Sequence, residues 1–354
     1  MPHRPYPSGI TMYCMCVFVQ RTTSFLPPHG LRATMAPSTR KYSKFLQQVE
    51  ETIGNVVPSM DNILNLPPAQ RESVGVSNRL SNRIKSLHKN NDCPSCWLQR
   101  AHCICKQTPP IDHLIPHNIN RLFMVMHHKE IGLVVDTAKL LLNATPTKAR
   151  LIVSGIDEEY QESARELRDA IEQKERRCIV LFPTDDARTF EELCRESNVS
   201  TSNNKMDGTG ELMEKEMFDV IIMDGTWSQA RKIHSRYIPL ENDGGPPRVC
   251  LSQESLDILG GVSIDANLSE GHNVNGIEKG GNGRQLRRHP IKWKEVSTLE
   301  ATRLLFRDMM AMTGDNLSNQ DGKQCHDILA EYQIISDTAA VKQLGPPREK
   351  QKLT

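Results

Sequence analysis

Residues 218–232 read FDVIIMDGTWSQARK. The run 218–223 is apolar apart from Asp219 and too short for a helix, which is how a strand buried on both faces reads. Gly225 interrupts the run, and Thr226 or Ser228 can cap the helix expected from about residue 228. Asp224 therefore stands at the carboxyl end of an interior strand, where ligands gather in parallel α/β sheets. Gly225 permits a tight turn or a close approach to a ligand. The helix start offers backbone N–H groups, and Trp227 sets a flat apolar face beside a carboxylate. A purely structural account fits the same residues, with Asp224 capping the helix and Trp227 packed in the core. The residues alone divide the two readings evenly.

The neighbouring sequence repeats this alternation. Strands are expected at 122–126, 150–153, 178–182 and 248–251. Helices are expected at 132–143, 157–174, 186–196, 228–236 and 297–312, the last opened by a Ser297/Glu300 capping box. Short apolar strands between helices predict an α/β domain with a mostly parallel sheet and helices on both faces. Upstream, 41–53 and 81–88 read as helical. The segment between them contains Pro58, Pro67 and Pro68 and reads as a linker. Two stretches read as insertions without a core, near 198–210 and 255–283, and the part from 260 to 283 holds seven glycines and no aromatic residue. The expected division is an extension at 1–40, a helical and linker segment at 41–90, a cysteine knuckle at 91–110, the α/β domain at 111–343 and a charged tail at 344–354.

Composition limits the function classes. The chain has 354 residues, 44 Lys plus Arg and 43 Asp plus Glu, for a net charge of +1. A globally basic nucleic-acid coat is excluded, so any RNA contact must use a local patch. No stretch approaches the roughly 20 apolar residues of a membrane span, and no membrane partner is expected. Neither a P-loop nor a GxGxxG fingerprint follows an expected strand, which argues against an NTPase or a dinucleotide enzyme. The first acidic residue is Glu50, preceded by six cationic residues and several Ser and Thr. That composition suits an organelle transit segment, and equally an extension upstream of a start at Met35. A cytoplasmic or nuclear location is the expectation, with organellar import as the alternative.

Ten cysteines are too few for a disulfide scaffold, but four of them crowd together. Cys93, Cys96, Cys103 and Cys105 form C-x2-C-x6-C-x-C, a spacing that suits a closed tetrahedral Zn2+ site of structural type, with an iron–sulfur cluster as the minor alternative. Within the knuckle, Trp97, Arg100 and His102 can either touch RNA or, for Trp97, pack inward. Residues 284–294, with Arg284, Arg287, Arg288, Lys292, Trp293 and Lys294, carry five fixed positive charges and no acid. Such a run can hold phosphates while the indole stacks on a base, with Arg231 and Lys232 extending it; a solvated loop is the plainer reading.

The D-x-T-W at Asp224–Trp227 and the C-x2-C…C-x-C knuckle together resemble the DTW-domain family. The family's H-P-x-E appears as His127, His128, Lys129 and Glu130, with His in place of Pro. Its N-T-x-x-L-L begins at Asp136 and Thr137 and ends at Leu140 and Leu141, with Asp in place of Asn. Its L-[FY]-P is Leu181, Phe182 and Pro183, and its S-T-x-E-A is Ser297, Thr298, Leu299, Glu300 and Ala301. The match spans roughly 91–312 in motif order.

The resemblance implies a tRNA-uridine aminocarboxypropyltransferase related to the SPOUT class, with a knotted C-terminal half holding S-adenosylmethionine. It implies transfer of the 3-amino-3-carboxypropyl group to N3 of a uridine, with methylthioadenosine released. Catalytic candidates are Asp224, Thr226 and Trp227, with Asp224 as base or as holder of the amino group of S-adenosylmethionine. Candidate contacts to S-adenosylmethionine are Ser154, Gly155, Leu181, Phe182, Pro183, Gly225, Leu251, Thr298 and Glu300; the last two can equally cap their helix. His127 and Glu130 are further candidates, although a lone His at a strand end is more often structural. Rival readings are another S-adenosylmethionine-dependent RNA enzyme, either an rRNA aminocarboxypropyltransferase or a SPOUT methyltransferase, and a non-catalytic zinc-knuckle RNA-binding protein.

Overall fold

The computed structural model describes residues 44–56, 65–173, 177–201, 217–259, 297–312 and 316–345. Its centre is a sheet of six strands: β1 (Ile119–His127), β2 (Ala149–Ser154), β3 (Arg177–Leu181), the two-residue β4 (Arg188–Thr189), β5 (Phe218–Asp224) and β6 (Arg248–Cys250). They lie in the order β2-β1-β5-β3-β6-β4, and every pairing is parallel. The α/β expectation holds, and each strand expected from the sequence is present within a few residues of its expected bounds.

Strand residues alternate between two cores because side chains alternate across a pleated sheet. Leu122, Met124, Val220, Ile222, Ile179 and Val249 face one side. Phe123, Val125, Ile221, Met223 and Val180 face the other, under α4 (Glu162–Glu172) and α6 (Trp227–Tyr237). The first side is covered by α1 (Lys44–Asn55), α2 (Pro68–Lys89), α3 (Ala138–Ala144), α5 (Phe190–Thr201), α8 (Thr298–Ala311) and α9 (Asn316–Leu344). Helices thus flank both faces. Complete burial of β5 explains why its sequence is continuously apolar instead of alternating.

Several boundaries differ from the sequence reading. Helix α2 begins at Pro68, inside the expected linker, because proline at the first helical position lacks only an N–H that would be unbonded there. Residues 132–137 are not helical: Gly132 turns with φ of +81°, and α3 starts only after Asp136. A seven-residue α7 (Gln253–Leu259) occupies the start of the expected second insertion. It is ordered by Asp308 of α8, which accepts from Ser252 N–H and from the Ser252 and Ser255 hydroxyls at 2.7–3.0 Å. The rest of that insertion, most of the first one, the 1–40 extension and the tail lie outside the described residues. Helix α9, not expected as a helix, closes over the knuckle: Gln343 Oε1 accepts from Gln99 N–H at 2.8 Å, and Tyr332 Oη donates to Pro109 O at 2.8 Å. Among the described residues no helix is long and apolar enough to cross a membrane.

Candidate active site

Parallel register brings five strand ends into one row. His127 of β1 is paired with Ser154 of β2, Met126 with Asp224 of β5, and Leu181 of β3 with both Ile222 and Val249. The row therefore runs Ser154, His127, Asp224, Leu181 with Phe182, and then Leu251 just past β6. The chain reverses its winding across this row, with β5 between β1 and β3, which is the crevice position of open α/β sheets.

Asp224 is the centre of the row and is only 4% exposed. Its Oδ1 accepts from Thr298 Oγ1 at 2.6 Å. Its Oδ2 is buried with no hydrogen-bond partner among the described residues, and the Asp136 carboxyl lies close enough to act on its charge. Asp136, also buried, accepts the Ala138 and Lys139 N–H groups at 3.2 and 3.0 Å and so caps α3. Burial raises the Asp224 pKa well above its ordinary value, and the charges of Asp136 and Glu130 raise it further, while the Thr298 hydrogen bond pulls it down. Two buried carboxyls in contact cannot both ionise, so the pair holds a proton at neutral pH. The proton belongs to the pair, whose geometry is fixed by the Thr298 hydroxyl on Asp224 and the two capping N–H groups on Asp136. Glu130, half-buried nearby, is itself raised by burial and by Asp136.

Gly225 has φ of +153°, and a Cβ there would lie 3.0 Å from Gln229 Cβ and 3.3 Å from His127 Cβ. Thr226 is the cap of α6: its hydroxyl accepts from Gln229 N–H at 3.4 Å, and its own N–H donates to Gln229 Oε1 at 2.7 Å. Trp227 follows, half-buried, with its ring stacked on Phe182 at 5.4 Å and 16°. Phe182 stacks in turn on His234 at 4.5 Å and 11°. The fully buried Arg248 fixes the end of this column, donating Nε to His234 Nε2 at 3.2 Å and Nη1 to Pro246 O at 2.7 Å. The indole has one face on this column and stays partly open to solvent.

The other candidates distribute as follows. Thr298 joins Asp224, whereas Glu300 serves its capping box with Ser297, at 3.1 and 3.2 Å. Leu181 and Leu251 are buried at the row, and Pro183 is exposed. Ser154 and Gly155 lie farther along, beyond β1. The Ser154 carbonyl is 3.3 Å from His128 Nδ1, Gly155 N–H donates to Tyr237 Oη at 2.8 Å, and Val76 of α2 packs onto Gly155. Arg231 and Lys232 are exposed on α6, whereas Arg284, Arg287, Arg288, Lys292 and Trp293 lie outside the described residues. Asp136 is not among the site residues expected from the sequence; its only signal there is that it replaces the Asn of the motif resembled. The Phe182–His234–Arg248 column has no local sequence signal.

The four knuckle sulfurs lie within 4.8 Å of one another, with Cys93–Cys105 at 3.5 Å and Cys96–Cys103 at 3.8 Å. A tetrahedron with metal–sulfur bonds of about 2.3 Å has edges of roughly 3.8 Å, so these cysteines could hold a metal ion. Trp97, 4% exposed and in the left-handed region, packs inward, which settles its place in the core. Lys139 Nζ, from the Asp136 end of α3, lies 5.7 Å from its ring centroid, and Asn143 Nδ2, near the other end, donates to Ser95 O at 2.7 Å, so α3 carries both the knuckle and the cap on Asp136.

Comparison with known proteins found no match among curated proteins or solved structures. The knuckle, the Asp136 cap, the Asp224–Trp227 turn and the Thr298 helix start all fall within residues 90–321, which match the model of the DTW domain, and the chain therefore belongs to the DTW-domain family.

Proposed function

We propose that this protein is a tRNA-uridine aminocarboxypropyltransferase, with S-adenosylmethionine as the donor substrate and methylthioadenosine as the by-product. Family membership supports a tRNA-modifying transferase in general. The observation that carries the specific reading is the pairing of a buried carboxyl, Asp224, with a half-buried indole, Trp227, three residues on at an interior strand end. In the reaction a bond forms between uridine N3 and the γ-carbon of the methionyl arm, the C–S bond breaks with its electrons kept by sulfur, and the N3 proton leaves. The sulfonium supplies the leaving group. The protein must orient the base and accept the proton.

Trp227, braced by Phe182, offers a surface on which an unstacked base or the adenine ring can lie. The Asp136–Asp224 pair carries one proton and one negative charge. Only the ionised member of the pair can take up the imide proton, and the buried setting that raises the pair's proton affinity makes it the better acceptor. Thr298 fixes the orientation of Asp224, and selectivity for the γ-carbon over the methyl carbon is a matter of such positioning. The knuckle cysteines would hold Zn2+ as a closed structural ion with no part in the chemistry. A SPOUT-like C-terminal half is part of this proposal and rests on family membership.

The burial of Asp224 favours one second reading, in which its carboxyl only latches β5 to α3 and α8 and the chain binds RNA without catalysis. Incubation of purified protein with S-adenosylmethionine and tRNA separates the readings. Methylthioadenosine and a modified uridine by mass spectrometry are expected. S-adenosylhomocysteine would mean methyl transfer, and neither product would mean a binding protein.

A further inference from the structure

Helix α2 precedes the family-matched residues, yet it reaches the row of strand ends. Glu72, Val76, Arg79 and Arg83 follow one another at helical spacing and share a face. Glu72 pairs with Arg236 of α6 at 2.8 Å, Val76 packs on Gly155 after β2, and Arg83 Nε donates to Ile131 O after β1 at 3.3 Å. The face therefore crosses the carboxyl ends of β2 and β1. Arg79 sits in the middle of it, exposed. Lys129 is exposed on the turn leaving β1, and its backbone N–H donates to His127 Nδ1 at 3.2 Å. Lys232 is exposed on α6, just over one helical turn beyond Trp227.

None of Arg79, Lys129 and Lys232 forms an ion pair with a carboxylate among the described residues. The nearby acids are otherwise occupied: Glu72 by Arg236, and Glu130 by its buried place beside Asp136. Three elements thus bring cations close enough to act on one half-buried residue, His127, whose Cβ lies against Gly225. Burial, then the neighbouring His128 and these same cations, hold the His127 pKa down at about 4, so the imidazole adds no charge near neutrality.

We propose that Arg79, Lys129 and Lys232 form a phosphate cradle around His127 that grips the RNA backbone beside the target nucleotide, making helix α2 part of the tRNA-binding surface. Three unpaired cations from separate elements suit successive phosphates of a strand, and a base leaving that strand would meet Trp227. The inference rests on the function proposed above for its partner, but it concerns only how the RNA is held.

The test is tRNA binding by the full chain, measured by fluorescence anisotropy over a range of salt, for the wild type, for Arg79→Gln with Lys129→Gln, and for Lys85→Gln with Lys89→Gln as a control of equal charge on α2. Each phosphate contact contributes about 0.7–0.9 to the slope of log K against log salt. The double substitution at the cradle should lower the slope by roughly 1.5 and weaken binding severalfold at low salt, with the control unchanged. Equal slopes and affinities for all three proteins, an equal loss in the control, or no tRNA binding by the wild type would each overturn the cradle. The product assay is run on the same samples. Methylthioadenosine formation with a cradle-independent slope sinks the cradle alone, whereas a cradle-dependent slope without methylthioadenosine sinks the catalytic reading and leaves the cradle standing.

Discussion

Replacing Asp136 with asparagine should change how stability depends on pH. In the native fold Asp224 keeps its proton above its ordinary pKa of 3.8, first because it is buried and next because Asp136 is beside it. The unfolded chain releases that proton near pH 4. The stability tied to it is therefore complete below about pH 4 and is lost as pH rises through the raised native value. One proton corresponds to a slope of about 1.4 kcal/mol for each pH unit in that window. The asparagine amide keeps one oxygen for capping α3 and gives up the second of the two N–H bonds that Asp136 accepts, a loss that does not vary with pH. The carboxyl–carboxyl repulsion disappears, whereas burial and the Glu130 charge remain, so the native pKa moves back toward the ordinary range without reaching it. Glu130 and Lys139 are the other charged groups facing the pair, and the substitution leaves both in place. Urea unfolding of both proteins from pH 4 to 9, followed by far-UV circular dichroism, should give curves whose separation changes with pH, the wild type losing more stability than the variant between pH 4 and pH 8. Parallel curves with a constant offset would refute the shared proton.

Thr298→Val strips the only hydroxyl from Asp224 Oδ1 and should cost about 1–3 kcal/mol in thermal or urea unfolding, with Thr298→Ser largely restoring it; no loss would mean that the 2.6 Å bond holds nothing. Trp227→Ala removes the stack on Phe182, worth about 0.5–1.5 kcal/mol beyond its buried area. It should abolish product formation while the circular dichroism spectrum is kept, and normal turnover would show that the indole has no part in the reaction. Cys96→Ser should lower bound zinc, measured by elemental analysis, and lower the melting temperature. Chelator should lower the wild-type melting temperature toward the variant's, and a chelator-insensitive wild type would exclude a structural ion.

The sheet is readable in the sequence because its strands are buried on both sides. Val220, Ile221 and Ile222 leave no alternative to an interior strand, and Asp224 with Gly225 marks its end. The capping box at Ser297 and Glu300 marks the start of α8 in the same way. The first half of helix α2 escapes a sequence reading because its buried stripe uses Ser73 and Ser77 beside Val74 and Val76, so close packing by small residues looks polar in sequence. Helix α9 likewise buries Cys325, Ser336, Ala339 and Ala340 among only a few large side chains. The two-residue β4 is too short to carry a pattern. At the site, Asp224 and Trp227 lie within four residues of one another and can be picked out together. Asp136 and the residues of the His127 cradle come from distant segments, and only the parallel register and the α2 crossing assemble them.

Helix α3 is barely two turns long, yet it is the strut on which two centres hang. Its first N–H groups grip Asp136, and its far end holds the thiol-bearing hairpin through Asn143. So short a rod cannot tilt at one end and stay fixed at the other. An injury to the sulfur cluster that let the hairpin drift would drag the Asp136 carboxyl off its neighbour, and a defect in the metal would then look, from the outside, like a defect in the acid.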